Sequence, residues 1–193
     1  MFVLADFKSI SKSFDSLPVL TDFSLKLGEG SRTVIMGESG CGKTTLLKIA
    51  AGLISADNGE FSHDGNIAFM FQEPRLLPWK SALENIVAVL KEKNLALAEK
   101  YLDAVSLTDA RDKLPHELSG GMAQRVAFAR FLAFAEETDA NLLLLDEPFS
   151  ALDSETADSM IALLGRFSQG KAFLLVTHNE EHAKKLEAEI IRL

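Results

Sequence analysis

The stretch GESGCGKT occupies residues 37–44, directly after the apolar segment Thr33–Met36 and at the start of a segment with helical spacing, Lys43–Ala51. It matches the pattern G-x-x-x-x-G-K-[ST], in which a loop between a strand and a helix surrounds a phosphate with backbone N–H groups. Its glycines allow the unusual backbone angles and close approach that such a loop needs, and the helix N-terminus adds partial positive charge. A glycine-rich turn with a solvated lysine is the alternative, but the flanking strand and helix favour a phosphate-binding loop.

The side chains of this loop indicate a triphosphate with its metal ion. Lys43 has the charge and the reach to hold β- and γ-phosphates, and the Thr44 hydroxyl can coordinate Mg²⁺. Cys41, the single cysteine of the chain, stands at a variable position of the pattern. We predict no redox chemistry for it.

The stretch NLLLLDEP at residues 141–148 is typical of a buried strand that ends in two carboxylates. A parallel strand delivers its last residues to the carboxyl edge of the sheet, where the phosphate loop also lies. We therefore expect Asp146 to hold Mg²⁺ and Glu147 to act as general base for an attacking water. A strand followed by an acidic turn is the alternative reading of this pair alone.

Around these motifs, short apolar strands alternate with amphipathic helices, which indicates an α/β fold with a mainly parallel sheet and an antiparallel edge. The predicted strands are Phe2–Ile10, Val19–Leu27, Thr33–Met36, Gly59–Ser62, Asn66–Phe71, Asn141–Leu145, Ala172–Val176 and Glu189–Leu193. The predicted helices are Lys43–Ala51, Met122–Ala135, Ser154–Phe167 and Glu180–Leu186, with a strand-free helical block over Ser81–Leu107. The polar stretch Ser11–Pro18 joins the first two strands, and a turn at residues 63–65 joins the fourth and fifth. We expect one domain, residues 1–193, with a helical subdomain at approximately residues 73–135.

Composition excludes several classes of protein. The chain has 193 residues, with 28 acidic and 20 basic side chains and a net charge of −8. Without a basic stripe, nucleic acid is not expected as a direct partner. The first residues lack the pattern of a signal peptide, and no apolar run reaches the roughly 18 residues of a membrane span. We expect a cytosolic chain that acts at a membrane only through a partner.

A second small-residue turn, LSGGMAQR at residues 118–125, opens onto a predicted helix. Ser119, the two glycines and the helix N-terminus form another anion site. One nucleotide does not need two such loops, so we predict a head-to-tail pair in which each chain's second loop closes over the γ-phosphate held by the other. The chain lacks the Asn-Lys-x-Asp motif of GTPases and the arginine-rich lid of small nucleotide kinases.

In these motifs and their order, the chain resembles the ATPase subunits of ATP-binding cassette (ABC) transporters over essentially its whole length. The resemblance implies a RecA-like P-loop fold, with Gly37–Thr45 as Walker A, Leu118–Gln124 as signature and Leu142–Glu147 as Walker B. It implies that ATP and Mg²⁺ are the cofactors. The catalytic residues it implies are Glu147, His178, Gln72 and Lys43, the metal ligands are Thr44, Gln72 and Asp146, and the nucleotide-binding residues are Phe14, Gly37, Glu38, Ser39, Gly40, Cys41, Gly42, Lys43, Thr44, Thr45, Ser119, Gly120, Gly121 and Asp153.

Four of these residues take their roles only from the resemblance. Gln72 corresponds to the glutamine loop and senses the γ-phosphate, and His178 corresponds to the switch histidine that contacts it. Asp153 would cross the interface between two chains, and Phe14 would stack on adenine. Taken alone, His178 is typical of a solvated or capping residue and Phe14 of a core residue. Asn179 stands where the family commonly has aspartate, a departure that leaves the histidine itself unaffected.

The stretch Phe71–Trp79, FQEPRLLPW, together with Met122, is similar to the nitrate, sulfonate and taurine importer branch of the family. This implies a transmembrane permease partner, a separate substrate-binding protein and a location on the inner face of the membrane. If exposed, Leu76–Trp79 would form the docking surface for the permease. The alternative is that Trp79 packs beneath the helices.

Two other functions stay open at this point. One is an ABC ATPase without a transport role, although the long coiled-coil or zinc insertions of such proteins are missing from this sequence. The other is a nucleotide-binding module that does not hydrolyse ATP, which the presence of Glu147, Gln72 and His178 disfavours. A regulatory extension beyond residue 193 is not expected.

Overall fold

A computed structural model describes residues 3–193, which form two sheets and six α-helices. The strands are β1 (Val3–Phe14), β2 (Leu17–Gly28), β3 (Arg32–Met36), β4 (Asn58–His63), β5 (Ile67–Met70), β6 (Leu142–Asp146), β7 (Ala172–Val176) and β8 (Glu189–Arg192). The helices are α1 (Lys43–Ala50), α2 (Ala82–Val87), α3 (Leu95–Ala104), α4 (Gly120–Glu137), α5 (Ser154–Phe167) and α6 (Glu180–Lys185). The predicted order of strands and helices is confirmed; Phe2, the first residue of the first predicted strand, lies outside the described residues.

The central sheet has five parallel strands in the order β5-β6-β7-β3-β8. Because all five run in one direction, the carboxyl ends of β3, β6 and β7 meet at one edge. This confirms the predicted parallel core and places the loop after β3 beside the carboxylates after β6.

Both faces of this sheet are covered, which explains the unbroken leucine run in β6. Leu142 and Leu144 belong to a core that contains α1 and the antiparallel sheet. Leu143 and Leu145 belong to a second core formed with α2–α6. Successive strand residues point to opposite faces, so a strand between two apolar layers has no polar positions.

The other sheet is antiparallel, with the order β2-β1-β4, and the structure corrects the predicted connection between its first two strands. The stretch Ser11–Pro18 is not a loop, because β1 continues to Phe14 and β2 starts at Leu17. Only Asp15 and Ser16 turn, and both have positive φ, 47° and 67°. Two-residue turns of this kind match the twist of hairpin strands, so the hairpin is longer than alternation alone predicts.

The turn at residues 63–65 joins strands of two different sheets and does not form a hairpin. β4 pairs with β1, whereas β5 pairs with β6 in the parallel sheet. Gly65 allows this passage between sheets: it has φ of 95°, and a Cβ there would lie 2.2 Å from the Asn141 side chain.

Between β5 and β6 the chain forms α2, α3, α4 and short 3₁₀ turns, without strands. The helix predicted from Met122 begins earlier, at Gly120, because the Ser119 side chain caps it by accepting a hydrogen bond from the Met122 N–H at 3.2 Å. Across residues 3–193, no helix combines the length and the apolar character needed to span a bilayer.

Candidate functional site

An open cleft of about 200 Å³ lies at the carboxyl edge of the parallel sheet. Separate stretches of the chain meet there: the loop after β3, the end of β6 and the residues just beyond β5 and β7. The residues that line it are Ser39, Gly40, Gly42, Lys43, Thr44, Thr45, Gln72, Asp146, Glu147, Val176 and His178. Folding thus brings most of the predicted site residues into one cavity.

The loop after β3 depends on Gly42, which directly precedes α1. Gly42 has φ of 105°, and a Cβ at this position would lie 2.7 Å from the Val19 carbonyl oxygen. Only glycine fits both the backbone conformation and the contact with β2. The first N–H groups of α1 have no partner within the helix and lie at the loop, as anion binding requires.

Lys43 is almost completely buried, with 6% of its surface exposed. Its ammonium donates hydrogen bonds to the carbonyl oxygens of Gly37 and Glu38 at 2.9 and 2.7 Å, and the Cys41 sulfur lies 3.8 Å away. The lysine therefore spans its own loop and lines the cleft at the same time.

The two carboxylates after the leucine run are also buried, with 3% of Asp146 and 8% of Glu147 exposed. Burial raises the pKa of both groups. For Asp146, a hydrogen bond from the Thr44 hydroxyl and the charges of nearby lysines oppose this rise in pKa. For Glu147, His178 and Lys43 oppose the rise, and the negative charge of Asp146 adds to it. Asp146 Oδ1 and Glu147 Oε1 accept no hydrogen bond in the described chain. Buried carboxylate oxygens without donors, beside a threonine hydroxyl, fit a divalent cation such as Mg²⁺.

Because the ionised Asp146 carboxylate is buried, we predict that it lowers the free energy of unfolding by an amount that depends on pH. Its pKa is higher in the folded than in the unfolded chain, so the native state binds more protons and the contribution of this group to stability falls as pH rises. We expect Asp146→Asn, without nucleotide, to raise the free energy of unfolding at neutral pH by about 1 kcal/mol or more, a rise in Tm of about 2–4 °C for a chain of this size.

This gain should fade as the pH falls through the raised pKa of Asp146 in the folded chain, and it should be absent below about 4, where the carboxyl is protonated in the unfolded chain as well. Thermal unfolding followed by circular dichroism at several pH values measures it. Asp139→Asn, at a side chain that is 99% exposed, is the control and should change Tm little. A gain of equal size at every pH would contradict burial of the charge as its cause.

Glu147 is held in an uncommon conformation next to a histidine. Its φ is 46°, and its N–H donates to the Val176 carbonyl at 3.0 Å, which extends the pairing of β6 with β7. Glu147 Oε1 lies 3.1 Å from His178 Nε2, within ion-pair distance but outside hydrogen-bond geometry. His178 is largely exposed, yet it faces the cleft and is placed to contact both the carboxylate and a ligand.

Ser119, Gly120 and Gly121 do not line this cleft. Ser119 caps α4, and a Cβ on Gly121 would lie 3.3 Å from the Ala151 carbonyl oxygen, so the turn packs beside the segment that precedes Asp153. The Asp153 carboxylate caps α5, accepting from the Thr156 N–H at 2.9 Å and the Thr156 hydroxyl at 2.7 Å. The fold therefore keeps the second anion turn apart from the first within one chain.

Phe14 lies at the end of the β1–β2 hairpin and 47% of it is exposed, so the alternative that it belongs to the core is wrong. The Lys12 ammonium lies 5.5 Å from the centre of its ring. Since Val19 of the same hairpin contacts the loop at Gly42, this end of the antiparallel sheet flanks the loop.

A second cavity, an apolar groove of about 310 Å³, lies between the segment after β5 and α4. Its lining includes Phe71, Arg75, Arg130, Phe131 and Phe134. Farther along the same segment, Trp79 is 70% exposed, so the alternative that it packs beneath the helices is wrong.

Sequence reasoning missed the polar residues that hold these segments in place. Gln124, buried on α4, donates to the Pro148 carbonyl at 3.1 Å, next to Glu147. Arg130 donates to two carbonyls of the segment after Gln72. Gln124 is the last residue of the signature motif, but its contact with Pro148 was not predicted. Arg130 belongs to no predicted motif, and its available signal was a single charge inside the otherwise apolar run of residues 126–135.

In comparisons with known proteins, the matching family is that of ABC transporters and the similar sequences are those of import ATP-binding proteins. Residues 20–150 match the ABC transporter family. The aliphatic sulfonates import ATP-binding protein SsuB 2 of Agrobacterium fabrum is 41% identical over 196 residues, covering 96% of this chain and 74% of that protein. The aliphatic sulfonates import ATP-binding protein SsuB of Zymomonas mobilis is 37% identical over 194 residues, covering 95% of this chain and 79% of that protein.

Solved structures agree with these relatives. A dimeric ATP-binding cassette in a post-hydrolysis state, bound to ADP and Pi, matches with a TM-score of 0.89 and 30% identity, covering 98% of this chain and 94% of that chain. A dimeric bacterial ABC transporter cassette matches with the same values.

Proposed function

Since this chain belongs to the ABC transporter family, we propose that it is the ATP-hydrolysing subunit that powers a bacterial-type importer of a small molecule. The observation that carries this proposal is the cleft in which the glycine-rich loop, Lys43 and two buried carboxylates meet. The relatives named for import of aliphatic sulfonates favour a small sulfonate-like anion as the cargo.

At this site the protein positions a water against the γ-phosphate. Lys43 and the N–H groups of the loop hold the phosphates, and Glu147 accepts the proton of the water whose oxygen attacks the γ-phosphorus, while ADP leaves. Gln72 and His178 orient the water and the γ-phosphate. Mg²⁺, held by Thr44, Gln72 and Asp146, would neutralise charge on the phosphate oxygens when bound.

The site is completed by a second copy of the chain. The first turn of α4, with Ser119, Gly120 and Gly121, lies outside its own cleft, and in this arrangement it would bind a neighbour's triphosphate. Asp153 lies beside this turn and would act across the same interface. Phe14, exposed where the hairpin flanks the loop, would stack on adenine.

The helical subdomain, at approximately residues 73–135 of the single domain 1–193, would contact the permease. The apolar groove beside α4 and the exposed Trp79 offer a surface for a short helix of that partner, and we place the docking site near Leu76–Trp79. Through the permease the chain would lie on the inner face of the membrane, with a separate binding protein delivering the cargo.

We expect Trp79→Ala to weaken the complex of this chain with the co-expressed permease by tenfold or more, as is typical for loss of a central tryptophan (about 2 kcal/mol). Affinity purification in detergent and permease-stimulated ATP hydrolysis measure the effect. Hydrolysis by the isolated chain should be unchanged, because the tryptophan lies outside the cleft. Leu53→Ala, at another exposed apolar residue, is the control.

A Trp79→Ala chain that binds the permease as tightly as the wild type would contradict the docking site. A wild-type chain that hydrolyses ATP but never associates with a permease would instead favour an ABC ATPase without a transport role.

A further inference from the structure

One charged side chain stands in the apolar run of α4. Between Val126 and Ala135 only Arg130 is polar. Burial lowers the pKa of its guanidinium, and no carboxylate in the described chain offsets that burial. Because arginine stays charged at neutral pH, this position carries an electrostatic cost that must be offset by the bonds it makes.

Those bonds go to the segment that follows Gln72. Arg130 Nη2 donates to the Pro74 carbonyl at 2.6 Å and Nη1 to the Arg75 carbonyl at 3.0 Å. Arg75 is left-handed, with φ of 45°, and its guanidinium lies 3.9 Å from the centre of the Phe71 ring. The Arg130 side chain thus holds the strained turn at Arg75 by binding the backbone carbonyls of that turn.

The far end of the same segment is fixed to α2. Asn85 is fully buried; its Oδ1 accepts from the Leu77 N–H at 2.7 Å, and its Nδ2 donates to the carbonyls of Leu77 and Lys80 at 3.2 and 2.9 Å. From Pro74 to Lys80 the backbone is therefore attached to helices. Only residues 71–73 lie between these attachments and the sheet strand β5.

We propose that Arg130 is a positioning residue that fixes Gln72 relative to α4. The hydrogen bonds from Arg130 begin at Pro74, two residues after Gln72. Arg130 lies on α4, the helix that begins at the Ser119 turn. A movement of α4 would therefore displace Gln72 in the cleft and the groove beside Arg75 together. This inference rests on the proposed ATPase function, since Gln72 acts there on the water and the metal.

The test compares three variants. Arg130→Met removes both bonds, and Arg130→Lys keeps the charge but not the two-pronged geometry. Arg125→Met is the matched control, because Arg125 lies on the same helix and also donates to two backbone carbonyls, those of Val105 and Ser106, at 2.9 and 3.3 Å. Each protein is assayed for kcat and KM for ATP, for Tm, and for amide hydrogen exchange without nucleotide.

For Arg130→Met we expect kcat to fall by about ten- to hundredfold, as when a catalytic group is misplaced by about 1 Å. The KM for ATP should stay within about twofold of the wild-type value, because the phosphate loop is untouched, and exchange should rise in residues 72–77. Arg130→Lys should lie between this variant and the wild type. Arg125→Met should lower Tm and raise exchange near residues 105–107, with kcat unchanged.

Unchanged kcat and unchanged exchange in Arg130→Met would overturn the proposal. So would a fall in kcat that Arg125→Met matches, because Arg130 would then act only on stability. If the wild-type chain does not hydrolyse ATP, the proposed function fails. Hydrogen exchange in residues 72–77 still tests separately whether Arg130 holds this segment in place.

Discussion

Glu147→Gln should bind Mg·ATP and hydrolyse it at about 10⁻² to 10⁻⁴ of the wild-type rate, the range typical for loss of a general base. Glutamine has nearly the same shape as glutamate, so the cleft keeps its form. Its amide, however, cannot take the proton of the attacking water. Single-turnover hydrolysis with radiolabelled ATP separates this loss from any change in binding.

The same variant should accumulate as a dimer when ATP is added, because the nucleotide that joins two chains is no longer consumed. Size-exclusion chromatography with and without ATP measures this. Glu60→Gln, which removes an exposed charge on β4, is the control and should behave as wild type. A Glu147→Gln chain that hydrolyses ATP normally would remove Glu147 as the base, and one that stays monomeric with ATP bound would count against a shared site.

Ser119→Asp should lower hydrolysis by about 10²- to 10³-fold, similar to the removal of one donor to a developing charge. Aspartate caps a helix as well as serine does, so α4 should stay intact. Its negative charge would face the triphosphate of the neighbouring chain and prevent closure. Ser119→Thr keeps the cap without the charge and is the matched control.

Mixing tests whether the site is shared. Lys43→Met removes the phosphate-binding ammonium, so this variant should be inactive alone. Combined with the Ser119→Asp chain, it should restore activity well above either parent, because one site of the mixed dimer joins an intact loop to an intact Ser119 turn. A Ser119→Asp chain that stays monomeric and hydrolyses ATP at the wild-type rate would show that each chain is complete alone.

Much of the site was predictable because its chemistry is local. The loop at residues 37–44 combines a strand, glycines and a helix N-terminus within a few residues, and the leucine run ending in Asp146 and Glu147 encodes a covered strand with carboxylates at its end. The roles of Gln72, His178, Asp153 and Phe14 needed the family resemblance, since each is an ordinary residue without its context.

The connections between strands were less predictable. Ser11–Pro18 has the polar composition of a loop, but the pairing of β1 with β2 continues through most of it and ends at two residues with positive φ. The turn at residues 63–65 looks local, yet pairing of β5 with β6 carries the chain into the other sheet. Hydrogen bonds between distant strands outweighed local preference in both places.

The sequence alone determined the phosphate loop, the carboxylate pair, the alternation of strands and helices and the family resemblance, because each depends on residues close together in the chain. Tertiary structure decided that Trp79 is exposed, that the Ser119 turn lies outside its own cleft, and that Arg130 holds the segment after Gln72. Those properties depend on contacts between residues far apart in sequence, and neither periodicity nor motif spacing records such contacts.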